Sequence, residues 1–307
     1  MSFNPFETES GWYNTRLLMP FLANFVFLYG KFFYFIFFVL LIFVLIIITT
    51  YWLLHQDLGI NTFQLISICT SSFIMYQFQL PGYPDVLLHI LLLASIAFQF
   101  SNNSKIALLV LSLLTHESSL FITSILSIFI LDKKSLVKFY GIFVIYLLFW
   151  VSGYGFDLSA ALASHRYDNI NSLQWVLQNP LREVLGIFFS YKLLWLFIIF
   201  SFLYLIKVNQ KKKALLISLL VLSSIFMTLL AVDTSRLVGW SFIGLLLSVQ
   251  TIHRMTLKGW RKKILNSIYI VNLMIPSIHY SLNVEPKWSK GLYVLYKVLA
   301  EHMIRAY

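Results

Sequence analysis

Residues 32–54 read "FFYFIFFVLLIFVLIIITTYWLL", a stretch without a charge, a glycine or a proline. At a rise of about 1.5 Å per residue, it reaches about 34 Å as a helix, enough to cross a hydrocarbon core of roughly 30 Å. Backbone in hydrocarbon must satisfy its own N–H and C=O groups, which leaves helices and closed barrels as the spanning structures. A barrel would show short segments of alternating polarity. None is present, and long apolar runs recur from one end of the chain to the other. Of the 307 residues, 59% are hydrophobic and only 11% charged, with a mean hydropathy of +0.81; an ordinary globular domain is about a quarter charged. The sequence therefore predicts an all-α fold class, a polytopic transmembrane helical bundle of about ten membrane segments, several of them short or re-entrant.

The net charge is +11, but the basic residues form no single soluble face, which argues against nucleic acid. They sit in short loops between apolar runs, where an excess of Lys and Arg marks the cytoplasmic side. On that rule "KVNQKKK" (207–213), "HRMTLKGWRKK" (253–263) and "DKKSLVK" (132–138) are predicted to be cytoplasmic. Helices over 185–206, 214–232, 237–252 and 264–282 then alternate, leaving "VDTSRL" (232–237) and the loop 154–184 on the outer face. The single cysteine, Cys69, lies in an apolar run, so neither an intramolecular disulfide nor a thiolate cluster is expected. The opening "MSFNPFETESGWYNTR" is polar and acidic rather than basic, and no cleavable signal peptide is expected.

One integral membrane domain is predicted over 1–307. Its first 31 residues form an outer segment with an amphipathic helix. In the outer loop, Trp175, Leu177 and Leu181 mark an amphipathic interfacial segment. The tail 284–307 mixes Trp, Tyr and Lys as interfacial helices do.

A histidine–glutamate pair interrupts the apolar run "SLLTHESSLFITSIL" (112–126). As one helix, 105–131 would be about 40 Å long with His116–Glu117 near mid-membrane. As two short helices meeting at "THESS", it is a hairpin with its tip at the outer boundary. The hairpin is preferred because Thr115 and Ser118 can cap freed backbone groups. It puts "SNNSK" (101–105) and "HQDLGIN" (55–61) inside and "LPGYPD" (80–85) outside, with Met1 outside and no helix before it. A single span inverts all of these.

Under the hairpin reading, unusual polar residues collect on the outer face: Arg16, Asp85 with His89 one turn later, His116 with Glu117, and Asp233 with Arg236. Each has a structural alternative. Asp85 after a proline makes a good helix N-cap. Asp233 and Arg236 are spaced for a local ion pair, Arg16 for snorkelling at a helix end, and His89 for packing. His116–Glu117 is the hardest to explain structurally, since an unpaired buried carboxylate costs several kcal/mol. Asp85, His89, His116 and Glu117 are also metal-ligand types, so the cofactor is left open, a divalent cation included. No zinc spacing, HExxH, GxSxG, P-loop, dinucleotide or kinase motif occurs.

The succession "YNTRLLMPFLA", "GYPDVLLHILLLASIAF" and "IALLVLSLLTHESSLFI" resembles a pattern of the membrane glycosyltransferase C superfamily over roughly residues 7–135. An Arg opens the helix after the first outer loop, a "PD" starts a later helix, and another ends in a Thr-plus-charge pair. "DTSRL" is similar to the same broad set. The resemblance implies transfer of a sugar from a polyprenyl-phosphate-linked donor at the outer face of a bacterial cytoplasmic (inner) membrane, in polysaccharide or glycolipid assembly. Its catalytic acid would stand in the first outer loop, where Glu7 and Glu9 match. Asp85 or Glu117 would otherwise serve as general base, with His116 orienting it or shuttling the proton and Arg16 and Arg236 holding the lipid phosphate. His89 and Asp233 are grouped with those arginines as substrate-binding residues. The His-x-Ser after a small apolar helix also resembles polysaccharide-polymerising membrane proteins, although an Arg would be expected there in place of Asp85. The remaining alternatives are a transporter using the His/Glu/Asp/Arg set and a non-catalytic assembly protein whose polar residues lock helices together. The expected partners are membrane lipids and the lipid-linked sugar.

Overall fold

The computed structural model describes residues 18–26, 30–56, 58–79, 84–116, 119–152, 172–229, 234–255, 259–280 and 284–286. The first half runs α1 (Leu18–Phe25), α2 (Gly30–His55), α3 (Thr62–Cys69), α4 (Ser72–Gln79), α5 (Asp85–Ala97), α6 (Asn102–Leu113), α7 (Ser119–Ile130) and α8 (Lys133–Ser152). The second runs α9 (Ser172–Gln178), α10 (Pro180–Tyr191), a 3-10 turn (Lys192–Leu194), α11 (Trp195–Lys207), α12 (Lys211–Thr228), α13 (Thr234–Gly239), α14 (Phe242–Arg254) and α15 (Trp260–Met274). A two-stranded antiparallel ladder, β1 (Ile278–Tyr280) against β2 (Val284–Pro286), completes the described chain, with His279 opposite Glu285.

The described structure is thus helical apart from one short ladder, and three of its helical stretches are long and apolar enough to cross a membrane: Phe35–His55, Lys133–Ser152 and Pro180–Lys207. α5 and α7 are apolar but shorter. In α2 the residues turned inward are Phe38, Ile42, Leu45, Thr49 and Trp52, while Leu40, Phe43, Ile47 and Leu54 stay exposed. Both faces follow the three- and four-residue spacing of a helix, and both are apolar. Lipid tails are as apolar as leucine, so the hydrophobic effect does not separate these faces; close packing and hydrogen bonds do. Buried serines and threonines are accordingly frequent among the described residues.

Contacts divide the domain expected over 1–307 into two compact units. Unit 1 comprises 1–45, 79–171 and 290–307; unit 2 comprises 46–78 and 172–289. In unit 1, α6 packs against α5, α7 and α8. The stretch 105–131 is a hairpin and not one span. Ser112 and Thr123 hydroxyls meet at 2.9 Å near its tip, while the Asn102 amide donates to Asp132 at 2.7 Å beside its other end. Residues 102 and 112 pairing with 132 and 123 is an antiparallel register, and it sets "SNNSK" beside "DKKSLVK". Asp132 also caps α8, accepting from the Ser135 N–H at 2.8 Å.

In unit 2, α14 packs against α11 and α12, and α15 lies along α3. Gln64 donates to Asn266 and Asn272 donates to Ser67, so α3 and α15 run in the same direction. The loop "HQDLGIN" meets the two basic loops here. Gln56 bonds Gln250 and Arg254, the Leu58 carbonyl faces His253 at 3.2 Å, and Gln250 bonds Lys213. Gly239 lets α13 approach α4: a Cβ there would overlap the Phe73 ring.

Several expected boundaries shift. The span expected at 185–206 begins at Pro180, and residues 172–178 of the expected outer loop are helical. Leu177 and Leu181 are exposed and Trp175 is half-buried. The turn expected at 232–237 is from Thr234 onward the buried helix α13. Of the first 31 residues, 18–25 form α1, which buries Leu18 and Ala23 and exposes Phe21 and Phe25. In the tail, 284–286 is β2, and 287–307 lies outside the described residues.

Candidate functional site

Four of the sequence-predicted site residues are described: Asp85, His89, His116 and Arg236. Glu7, Glu9, Arg16, Glu117 and Asp233 lie outside the described residues.

Asp85, His89 and His116 belong to one end of unit 1. α5 and α6 form a helical hairpin through a short connection, so the start of α5 and the end of α6 share that end. The Leu18 N–H donates to the Leu114 carbonyl at 3.2 Å and brings the start of α1 there as well. Asp85 is the first residue of α5; the capping position is Pro84, so the N-cap role considered for Asp85 is not the one it takes. A carboxylate in the first turn is still favoured by the helix dipole. The His89 ring nitrogen Nδ1 lies 2.6 Å from the Asp85 carbonyl oxygen, one turn back. A carbonyl only accepts, so the ring proton sits on Nδ1, which makes Nε2 the acceptor nitrogen of the neutral ring. At the hairpin tip the Thr115 hydroxyl donates to the Ser112 carbonyl at 2.6 Å, and Ser119 N–H to the His116 carbonyl at 2.9 Å. Asp85 and His89 have no exposed surface and His116 is 3% exposed. Three ionisable side chains buried at one helical end are exceptional in an apolar chain, where such residues mark candidate functional sites.

Unit 2 carries a second polar set, and sequence reading found only part of it. Arg236, on α13, is 8% exposed. Facing α13 is α10, which opens with Pro180 in its first turn and places Glu183 in that turn, 7% exposed. The Thr234 hydroxyl donates to Glu183 Oε2 at 2.6 Å, while Oε1 has no hydrogen-bond partner among the described residues. Ser190 on α10 donates to the Ser235 carbonyl at 3.2 Å, and the Tyr191 hydroxyl lies 2.9 Å from the Gly239 carbonyl. The helix carrying Arg236 is thus tied along its length to the helix carrying Glu183. The sequence signal for Glu183 was a lone carboxylate following Asn-Pro, where a helix begins.

Immediately after Tyr191 the long span breaks. Lys192 takes φ +53°, in the left-handed region that favours glycine. From outside the span, the Leu193 N–H donates to Asn272 at 3.0 Å, and across the break Trp195 Nε1 donates to the Ile187 carbonyl at 2.8 Å. Lys192 itself is buried, and its ammonium donates to the Ile275 carbonyl at 2.7 Å.

Among the described residues, no group of three or more His, Cys, Asp or Glu side chains is gathered as metal ligands. Among the described residues, fold and polar sets define a class: a helical protein with three helical stretches apolar enough to cross a membrane, one of them broken, and buried ionisable groups at helix ends. Beyond that class, the chain matches no protein-family model, no curated protein and no solved structure.

Proposed function

We propose that the chain transfers a sugar from a polyprenyl-phosphate-linked donor at the outer face of a bacterial inner membrane, its shorter helices completing a bundle of about ten membrane segments. The observation that carries this reading is the burial of Asp85, His89 and His116 at one end of unit 1. A carboxylate and imidazoles in a water-poor setting suit general base work on an acceptor hydroxyl. Asp85 takes the hydroxyl proton, the acceptor oxygen bonds the anomeric carbon, and the bond from that carbon to the phosphate oxygen breaks. The departing phosphate suits the guanidinium of Arg16, which matches its oxygens in a bidentate way. His116 orients the base or relays the proton. Glu117, or Glu7 and Glu9 in the manner of the superfamily, are the other carboxylates for the same role.

The test is release of polyprenyl phosphate from a labelled lipid-linked sugar by the purified full chain. Asp85→Asn should lower the rate by about 10²- to 10⁴-fold, the usual contribution of a general base. An undiminished rate in Asp85→Asn and Glu117→Gln, tested separately and together, removes both as bases.

One observation favours a second reading. Broken membrane helices with freed backbone groups recur in transporters, where they form substrate and ion sites, and the span Pro180–Lys207 is broken at Lys192. Proton-coupled uptake into vesicles that is lost in Glu183→Gln, with no sugar release in any condition, would select transport.

A further inference from the structure

The basic end of unit 2 holds two cations that share neutral partners. The Lys213 ammonium donates to Gln250 Oε1 at 3.1 Å, Gln250 Nε2 donates to Gln56 Oε1 at 2.8 Å, and Arg254 Nη2 donates to the same Gln56 oxygen at 2.6 Å. Two amides therefore relay between an ammonium and a guanidinium, and among the described residues no carboxylate lies within ion-pair reach of either. Lys211 and Lys212 precede Lys213, and Lys262 and Lys263 open α15 at the same end. An amide oxygen accepts a hydrogen bond but does not neutralise charge. The arrangement holds two like charges near one another, and an anion bound between them offsets their repulsion.

The surroundings say which anion. Toward the ends of α11 and α12 that meet at the loop before Lys213, Leu203, Ile206 and Leu215 are at least 49% exposed. Exposed apolar helix surface and the paired cations thus belong to the same end of unit 2, a combination that suits a phospholipid, whose phosphate takes the cations and whose acyl chains take apolar surface. Guanidinium and ammonium are the side chains that bind phosphate, the first through a planar fork and the second as a point charge. The loops that supply them carry the basic excess that marks the cytoplasmic side, where anionic lipids concentrate.

We propose that Lys213 and Arg254, oriented by the Gln250–Gln56 relay, form a binding site for the headgroup phosphate of an anionic phospholipid at the basic end of unit 2. Burial, and then the neighbouring Arg254, push the Lys213 ammonium down to about 8. A bound phosphate opposes the repulsion from Arg254 and favours the charged lysine.

The experiment is native mass spectrometry of the full chain in detergent, titrated with phosphatidylglycerol or phosphatidylcholine. A parallel thermal-shift series uses inorganic phosphate. Phosphatidylglycerol should bind in discrete steps and in preference to phosphatidylcholine. The double variant Lys213→Gln, Arg254→Gln should weaken the first step roughly 30-fold, at about 1 kcal/mol per basic residue. Lys212→Gln, at an exposed lysine without a hydrogen bond in the relay, should leave that step nearly unchanged. Equal binding of the two lipids by the wild-type chain overturns the proposal without any variant, so a double variant that fails to fold does not shelter it. Undiminished binding in a folded double variant also overturns it. Stabilisation by inorganic phosphate matching that of phosphatidylglycerol would make the site one for free phosphate and overturn the lipid assignment.

Discussion

Thr234 and Glu183 form the contact on which the polar set of unit 2 depends, and a double-mutant cycle measures it. Their oxygens lie 2.6 Å apart, the length of a hydroxyl bonded to a carboxylate, and both residues are buried. Hydrogen bonds to charged groups contribute about 1.5–3 kcal/mol in water-soluble proteins, and those between membrane helices average about 0.6 with a maximum near 1.7. The Thr234–Glu183 bond should fall at the upper end of the membrane range, because the carboxylate has no second donor among the described residues. Thr234→Val keeps the shape and removes the donor, so it should destabilise the chain by about 1.5 kcal/mol. In a Glu183→Met background the acceptor is gone as well. There Thr234→Val should cost almost nothing, or stabilise slightly by removing a hydroxyl without a partner. The coupling energy, read from reversible unfolding of the four proteins in mixed detergent, is therefore about 1.5 kcal/mol. A coupling below about 0.5 kcal/mol would refute the reasoning: the bond would hold nothing, and α13 would be positioned by packing alone.

Sidedness can be read from cysteines placed in a Cys69→Ser background. Ser104→Cys and Lys212→Cys, both at exposed positions, should react with an impermeant thiol reagent only after the cytoplasmic side is opened. Labelling of either in intact cells would reverse the orientation of its unit. At Gly239, substitution by Ala should destabilise by about 1–3 kcal/mol, the usual cost of overpacking, because a Cβ meets the Phe73 ring. A neutral Gly239→Ala in thermal unfolding would mean that α13 and α4 have room to separate. Asp132 gives a pH-dependent case. The Ser135 N–H, then the Ser135 hydroxyl and the Asn102 amide, hold its carboxyl below the ordinary range. A depressed folded-state value stabilises above the ordinary carboxylate pKa and loses that contribution as pH falls through the folded one. Asp132→Asn should therefore lower the unfolding temperature at neutral pH, with the gap to wild type closing as pH drops below about 4. A gap of constant size over that range would show that the charge is not what caps α8.

The class of fold was legible because it follows from the solvent. Residues 32–54 have no alternative to a helix if they lie in hydrocarbon, and α2 contains all of them. The hairpin at His116 was legible for a different reason: Thr115 and the polar residues after it break an apolar run where a helix can end. Which face of α2 packs inward was not legible, since Phe38 and Phe43 are chemically alike and only one is buried. Periodicity reports polarity differences, and in lipid these faces differ in none. The break at Lys192 was invisible too. "SYKLLWL" contains neither glycine nor proline, and Leu193, next to the left-handed lysine, is held by Asn272, which is 79 residues away. Burial of the helix that begins at Thr234 was equally hidden, because "DTSRL" has the composition of a loop.

Glu183 shows how the legible and the hidden combine. Its place in the first turn of a helix could be read from Asn179-Pro180, but that alone describes a surface carboxylate at a helix start. What makes it a candidate site residue is α13, whose threonine reaches it and whose arginine stands two positions on. α13 is held there by contacts that no local pattern encodes: Ser190 to the Ser235 carbonyl, Tyr191 to the Gly239 carbonyl, and a glycine against Phe73. Each is a polar or close-approach contact of the kind that replaces hydrophobic burial between helices in a bilayer. The ionisable groups of such a chain can therefore be named from sequence as exceptions to an apolar background. Which of them meet is decided by small residues and hydroxyls whose partners lie dozens of positions away.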